Sequence, residues 1–272
     1  MNARPLPSPL YLLLFAAVAL AAALLLRPAD ERQPISRWRP GESAAAPAPI
    51  AAEAVPVGVV AMQADDGLYA AERAELSAEL DRALGYVSGR FGGALSGPVT
   101  AALLNEAGCG LSGIAYTDIR VVQVSTCQSI ERGRAVAILA HELVHQLQQD
   151  RYGQPHLSAD LILLEGMATW GAGEYWLGGH PDFRSYVRAQ RDAGVLYPLA
   201  THYSGLGIGA MNALYYQWAS FVEFLIQTYG RDRLDQVYVT GRGAPGSADY
   251  AAVYGKGLDE LEREWLAWLD QG

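Results

Sequence analysis

Clusters of basic residues are missing from this chain. Lysine and arginine number 20 against 29 aspartates and glutamates, a formal net charge of −9 over 272 residues. A surface that reads nucleic-acid phosphates needs the opposite balance, so nucleic acid is excluded as a partner. Cysteine is nearly absent. The only two are Cys109 and Cys127, so no lipid-modified cysteine lies near the amino terminus. They flank one β-like stretch. A single disulfide there would fit an oxidising compartment, and two buried free thiols fit equally. Internal repeats and a prodomain signal are also missing. Apolar residues are abundant, 51% of the chain. That is too apolar for a disordered protein and suits one globular domain with accessory segments.

The longest apolar run comes first. Leu10 to Leu26 is an unbroken stretch of 17 apolar residues. In hydrocarbon only a helix satisfies such a backbone, and this length is at the short end of a spanning segment. The run reads as an uncleaved anchor behind a short tail, residues 1–9. A cleaved signal peptide is the rival, with Ala21-Ala22-Ala23 as its small-residue site. Arg27, Arg32, Arg37 and Arg39 follow the run, which taken literally would leave the main domain in the cytoplasm. The cysteine pair and the delivering habit of such leaders point the other way. The expected location is membrane-anchored with the domain periplasmic or extracellular, or secreted if the leader is cleaved.

Residues 27–55 are rich in Pro and Ala and read as a linker. The folded part is expected from 56 to 272. Strands are predicted at 56–63, 97–105 and 119–126 from β-branched runs bounded by turn residues. Between the first two, Leu76, Leu80, Leu84, Val87 and Phe91 share a helical face that ends at Gly92-Gly93. From 131 onward the pattern is helical, broken at Gly153-Gln154-Pro155, Gly178-Gly179, Pro198 and Gly205-Leu206-Gly207. The expected fold class is α+β: a small mixed sheet with an N-terminal helix, then a mainly helical half.

That half opens with "AILAHELVHQLQQD", residues 137–150. Val136, Leu139, Ala140, Leu143 and Leu147 share one face and are expected to be buried. His141 and His145 lie one turn apart on another, so both imidazoles can point at one ion. Glu142 is rotated by about 100° and cannot easily join them on the same ion, but it can act as a general base beside it. Chance would produce such an H-E-x-x-H match roughly 0.005 times in a chain of this composition, so coincidence is a weak explanation. A catalytic zinc takes three protein ligands. The H-E-x-x-H-x-x-G-x-x-H class is rejected, because Gln148 and Arg151 stand where Gly and His would be. Glu165 is the better third ligand. It is a lone carboxylate among Leu161, Ile162, Leu163, Leu164 and Met167, expensive there unless paired or metal-bound. It follows His145 by 165 − 145 = 20 residues, room for a turn and a returning helix.

H-E-L-V-H followed by E-G-M-A resembles the gluzincin metallopeptidases, in particular their compact peptidase-MA-like group. The likeness covers roughly residues 113–230 and both motifs at this spacing. It implies a zincin-like domain with Zn2+ on His141, His145 and Glu165, Glu142 as base, and a peptide or protein substrate. It also implies an edge strand ahead of the active helix, matched here by "GIAYTDIRVVQVST", although so apolar a stretch reads as a core strand equally well. A tyrosine on a later helix would serve the oxyanion. "LYYQWASFVEFLIQTYG" resembles that helix and offers Tyr215 and Tyr216, either of which could instead be simple packing. His202 is a further donor candidate beside Tyr203. His156 and His180 sit in turn-like contexts and are expected to be solvated. Thr169 and Glu174 are candidates for orienting a histidine, Thr169 standing where some gluzincins have Asp. The expected function is a membrane-tethered zinc peptidase. The alternative is an inactive gluzincin-like zinc-binding or scaffolding module at the membrane.

Overall fold

A computed structural model describes residues 60–271. The apolar run 10–26, the linker 27–55 and the expected start of the fold at 56 lie outside the described residues. Among the described residues, no helix is long and apolar enough to cross a membrane. The chain order is β1 (Val60–Ala64), α1 (Arg73–Phe91), β2 (Val99–Asn105), β3 (Ser112–Tyr116) and β4 (Val121–Thr126). Helices follow: α2 (Arg132–Tyr152), α3 (Leu161–Ala172), α4 (Glu174–Leu177), α5 (Phe183–Asp192), α6 (Ile208–Tyr229), α7 (Arg231–Tyr238), α8 (Tyr250–Tyr254) and α9 (Leu258–Trp268). The class is mixed α+β.

The sheet runs β1-β2-β4-β3, with β1–β2 and β2–β4 parallel and β3–β4 antiparallel. Parallel neighbours need a crossover, and α1 supplies it between β1 and β2. Its apolar spacing places Leu76, Leu80, Val87 and Phe91 in the core, with Ala83 buried beside them; Leu84 is only half-buried. Gly92 ends the helix in the left-handed conformation, its N–H donating to the Ser88 carbonyl.

The stretch 113–126 is not one strand but a hairpin. β3 is an edge of the sheet, while β4 lies inside it and alternates buried and half-buried positions. The turn between them contains Arg120 at φ 58, a conformation that disfavours a side chain. Its guanidinium compensates by bonding Asp150 at 2.6 Å and the carbonyls of Gly97 and Pro98 at 2.9 Å. Cys109 and Cys127 form a disulfide that ties the loop before β3 to the end of β4.

Helix α2 packs against α1, β3, β4 and α3. From Ala135 to Gln148 every residue except Ala137 is buried, so the helix has no solvent face through its middle. All twelve residues of α3 are buried as well. It packs closely against α6 because Gly166 has no side chain: a Cβ there would stand 2.6 Å from the Trp218 backbone oxygen. Asp160 caps α3, accepting from the Ile162 N–H at 2.9 Å. The same buried carboxylate accepts from the N–H groups of Gly246 and Ala248 and from the Tyr250 hydroxyl, fastening the segment before α8 to the start of α3.

Candidate metal centre

Helix α2 presents His141 and His145 toward α3, which presents Glu165. His141 Nε2 lies 3.2 Å from both His145 Nε2 and Glu165 Oε2, and His145 Nε2 lies 3.6 Å from Glu165 Oε2. All three residues are completely buried. Ligands 2.0–2.1 Å from a tetrahedral ion stand about 3.3–3.4 Å from one another, so the triangle fits a metal without rearrangement. These three residues could hold a metal ion.

Tautomers decide whether lone pairs face the centre. The Gln148 amide donates through Nε2 to the Leu164 carbonyl at 2.9 Å, so its Oε1 faces His145 Nδ1 at 2.7 Å. An amide oxygen only accepts, so Nδ1 of His145 carries the hydrogen and Nε2 is directed inward. Thr169 Oγ1 lies 3.4 Å from His141 Nδ1, a longer contact in which the hydroxyl can donate or accept. Gln148 is not among the residues that the sequence motifs single out as histidine partners. The signal was its position three residues after His145 on one helix. Glu174, the other proposed partner, is exposed, and its N–H bonds the Tyr86 hydroxyl.

Burial acts differently on each titrating group. It lowers His141 to about 4, with Glu165 opposing. It works to lower His145 too, but the bond to Glu165 and the charges of Glu165 and Glu142 outweigh it and raise that pKa. It works to raise Glu165, and the two histidine bonds overcome it and hold the carboxyl near 2. Glu142 has no such compensation. Burial pushes it up to about 8, with His145 pulling down and Glu165 pushing up. A proton on His145, or a cation in its place, lets the three converging atoms stand so close.

Around the triangle are polar atoms with no hydrogen-bond partner in the protein: both carboxylate oxygens of Glu142, Glu165 Oε1 and the Tyr215 hydroxyl. The backbone of β3 closes over Glu142 at Gly113, where any Cβ would collide with Glu142 Oε1 and Ile138. Tyr215 lies on α6 with its ring parallel to that of His141, centroids 5.7 Å apart. Burial first, then the charge of Glu165, pushes its hydroxyl pKa well above the ordinary value. Tyr216 is turned away from His141 in this structure, its hydroxyl donating to the Trp176 carbonyl at 2.8 Å. His202 is exposed, its Nδ1 accepting from the Ser204 N–H, and is not part of the cluster. His180 is exposed as expected. His156 is not: it is completely buried, its Nδ1 2.9 Å from the Tyr238 hydroxyl and its ring 6.2 Å from that of His145.

No protein-family model, curated protein or solved structure matches this chain.

Proposed function

We propose that this chain is a zinc-dependent peptidase of the gluzincin type, tethered to a membrane with its folded part outside the cytoplasm. The carrying observation is Glu142: a wholly buried carboxylate with two unpartnered oxygens, beside three converging ligand atoms. A structural zinc is closed by four protein ligands, whereas a hydrolytic site keeps three and sets a base beside the open position. His141, His145 and Glu165 would hold the ion. Bound there, zinc supplies a Lewis acid that polarises a peptide carbonyl and acidifies water. Glu142 takes the proton of the attacking water and passes it to the leaving amine. The Tyr215 hydroxyl donates to the developing oxyanion. Gln148 and Thr169 hold the two imidazoles in register.

A peptide substrate is supported by β3, an edge strand that passes Glu142 at Gly113 and can pair an extended chain through backbone bonds alone. The disulfide supports the extracytoplasmic location, since cytosolic thiols stay reduced. One observation favours the second reading, an inactive metal-binding or scaffolding module: His141, Glu142, His145, Glu165 and Tyr215 are all completely buried. Glu142→Gln decides between them. The peptidase reading expects full metal content and a fall in hydrolysis of a mixed peptide pool of about 10²–10⁴-fold. Cleavage that survives in this variant sinks the mechanism. Stoichiometric metal with no wild-type turnover on any peptide favours the module.

A further inference from the structure

Nothing from outside can touch the converging atoms unless a part of the fold moves. Trp176, 9% exposed, lies against His141, with ring centroids 4.7 Å apart. It is carried by α4, a helix of four residues. Glycines in conformations rare for other residues bound that turn: Gly173 at φ 50 on one side, Gly178 at φ 59 and Gly179 at φ 93 on the other. Two hydroxyls hold the turn from neighbouring helices. Tyr86 accepts from the Glu174 N–H at 2.9 Å, and Tyr216 donates to the Trp176 carbonyl at 2.8 Å. Tyr216 itself is stacked on Tyr186, centroids 4.0 Å apart, which fixes its hydroxyl.

The other aromatic ring near the centre is a poorer entrance. Tyr203 touches Tyr215, and α6 pins its segment through Gln217 to Tyr197 and Trp218 to Leu199. Trp176 has the direct contact, the short carrier and the glycine ends together.

We infer that α4 is the gate of the metal centre, with Trp176 as its closing side chain and Tyr216 as its latch. The inference rests on the metal-centre reading. Turning about Gly173 and Gly178 breaks one hydrogen bond to Tyr216 and one to Tyr86, and uncovers the face of His141 that Trp176 covers. Ions would then enter by that opening. Full burial in the closed form is consequently no obstacle to turnover, and the rate of opening limits both metal exchange and access.

The test uses the full chain loaded with zinc, its metal content measured first. Transfer of zinc to a chromophoric chelator is then followed by absorbance. Tyr216→Phe removes one neutral hydrogen bond and is expected to speed release roughly five-fold. Trp176→Ala removes the closing ring and is expected to speed it more. Tyr229→Phe is the control: it loses a hydroxyl bonded to Glu264 and Lys256, 229 − 216 = 13 residues and about 20 Å further along α6, and should leave the rate unchanged. Equal release from wild type, Tyr216→Phe and Trp176→Ala would overturn the gate while leaving the metal centre standing. So would acceleration by Tyr229→Phe equal to that by Tyr216→Phe. A chain that binds no zinc overturns both.

Discussion

Two carboxylates five residues apart on α3, Asp160 at its cap and Glu165 within it, are both completely buried. Their surroundings differ. Asp160 is met by three backbone N–H groups and a tyrosine hydroxyl. Glu165 bonds histidine nitrogens through one oxygen and leaves the other without a partner, and Glu142 beside it leaves both. A buried carboxylate must recover the hydration it has lost. Asp160 has both oxygens met by donors of its own fold and acts as a rivet. Glu165 and Glu142 keep oxygens that nothing in the protein meets, which leaves them open to a partner beyond the fold. Burial alone does not separate the two kinds of acid. Saturation does.

The largest expected effect breaks the rivet. Asp160→Ala strands three N–H groups and a hydroxyl, which should cost about 3–5 kcal/mol in urea denaturation while metal content per folded molecule stays the same. A wild-type midpoint would defeat the comparison. The converse variant, Gln148→Leu, frees the His145 ring and should weaken metal binding about 10–100-fold in competition with a chelator, with a smaller loss of metal-free stability than Asp160→Ala. Wild-type affinity would remove Gln148 from the site.

A pH titration addresses His156, in the 3₁₀ turn between α2 and α3. Burial first, then His145, lowers it to about 3 against the pull of Glu165. From about pH 6.5 downward the unfolded chain takes up a proton that the folded chain refuses, so stability falls as the medium is acidified, by about 1–2 kcal/mol between pH 7 and 5. Denaturation midpoints at pH 7, 6 and 5 should fall more steeply for wild type than for His156→Gln. Equal slopes would assign the acid sensitivity elsewhere. Thr169→Val comes last. Its 3.4 Å contact should change metal affinity less than Gln148→Leu does, and an equal or larger loss would reverse the ranking of the two supports.

What the sequence made legible were features with local causes. The face of α1, the glycine breaks, the buried stripe of α2 and an isolated glutamate in an apolar helix all follow from spacing and from the cost of a lone charge. Features set by distant partners were not legible. His156 looked like a turn residue because its partner, Tyr238, is 82 residues away. Tyr215 and Tyr216 are adjacent, and only the packing of α6 decides which one stacks on His141. The hairpin was hidden because its turn, Thr117-Asp118-Ile119-Arg120, has neither Gly nor Pro. Arg120 is held there by contacts with Gly97, Pro98 and Asp150 that no local pattern announces.

The disulfide carries a consequence for how the protein is made. Cys109 and Cys127 are separated by 18 residues, and closing a loop of that size removes unfolded-chain entropy worth about 3 kcal/mol. The loop encloses β3, β4 and Gly113, the backbone that closes over Glu142. Chain produced in a reducing cytosol forgoes that restraint on one side of the centre only. On the proposed peptidase reading, such a preparation would keep its helical half and its ligand triad while the wall beside Glu142 frays, and it would pass for an inert protein although its sequence is intact.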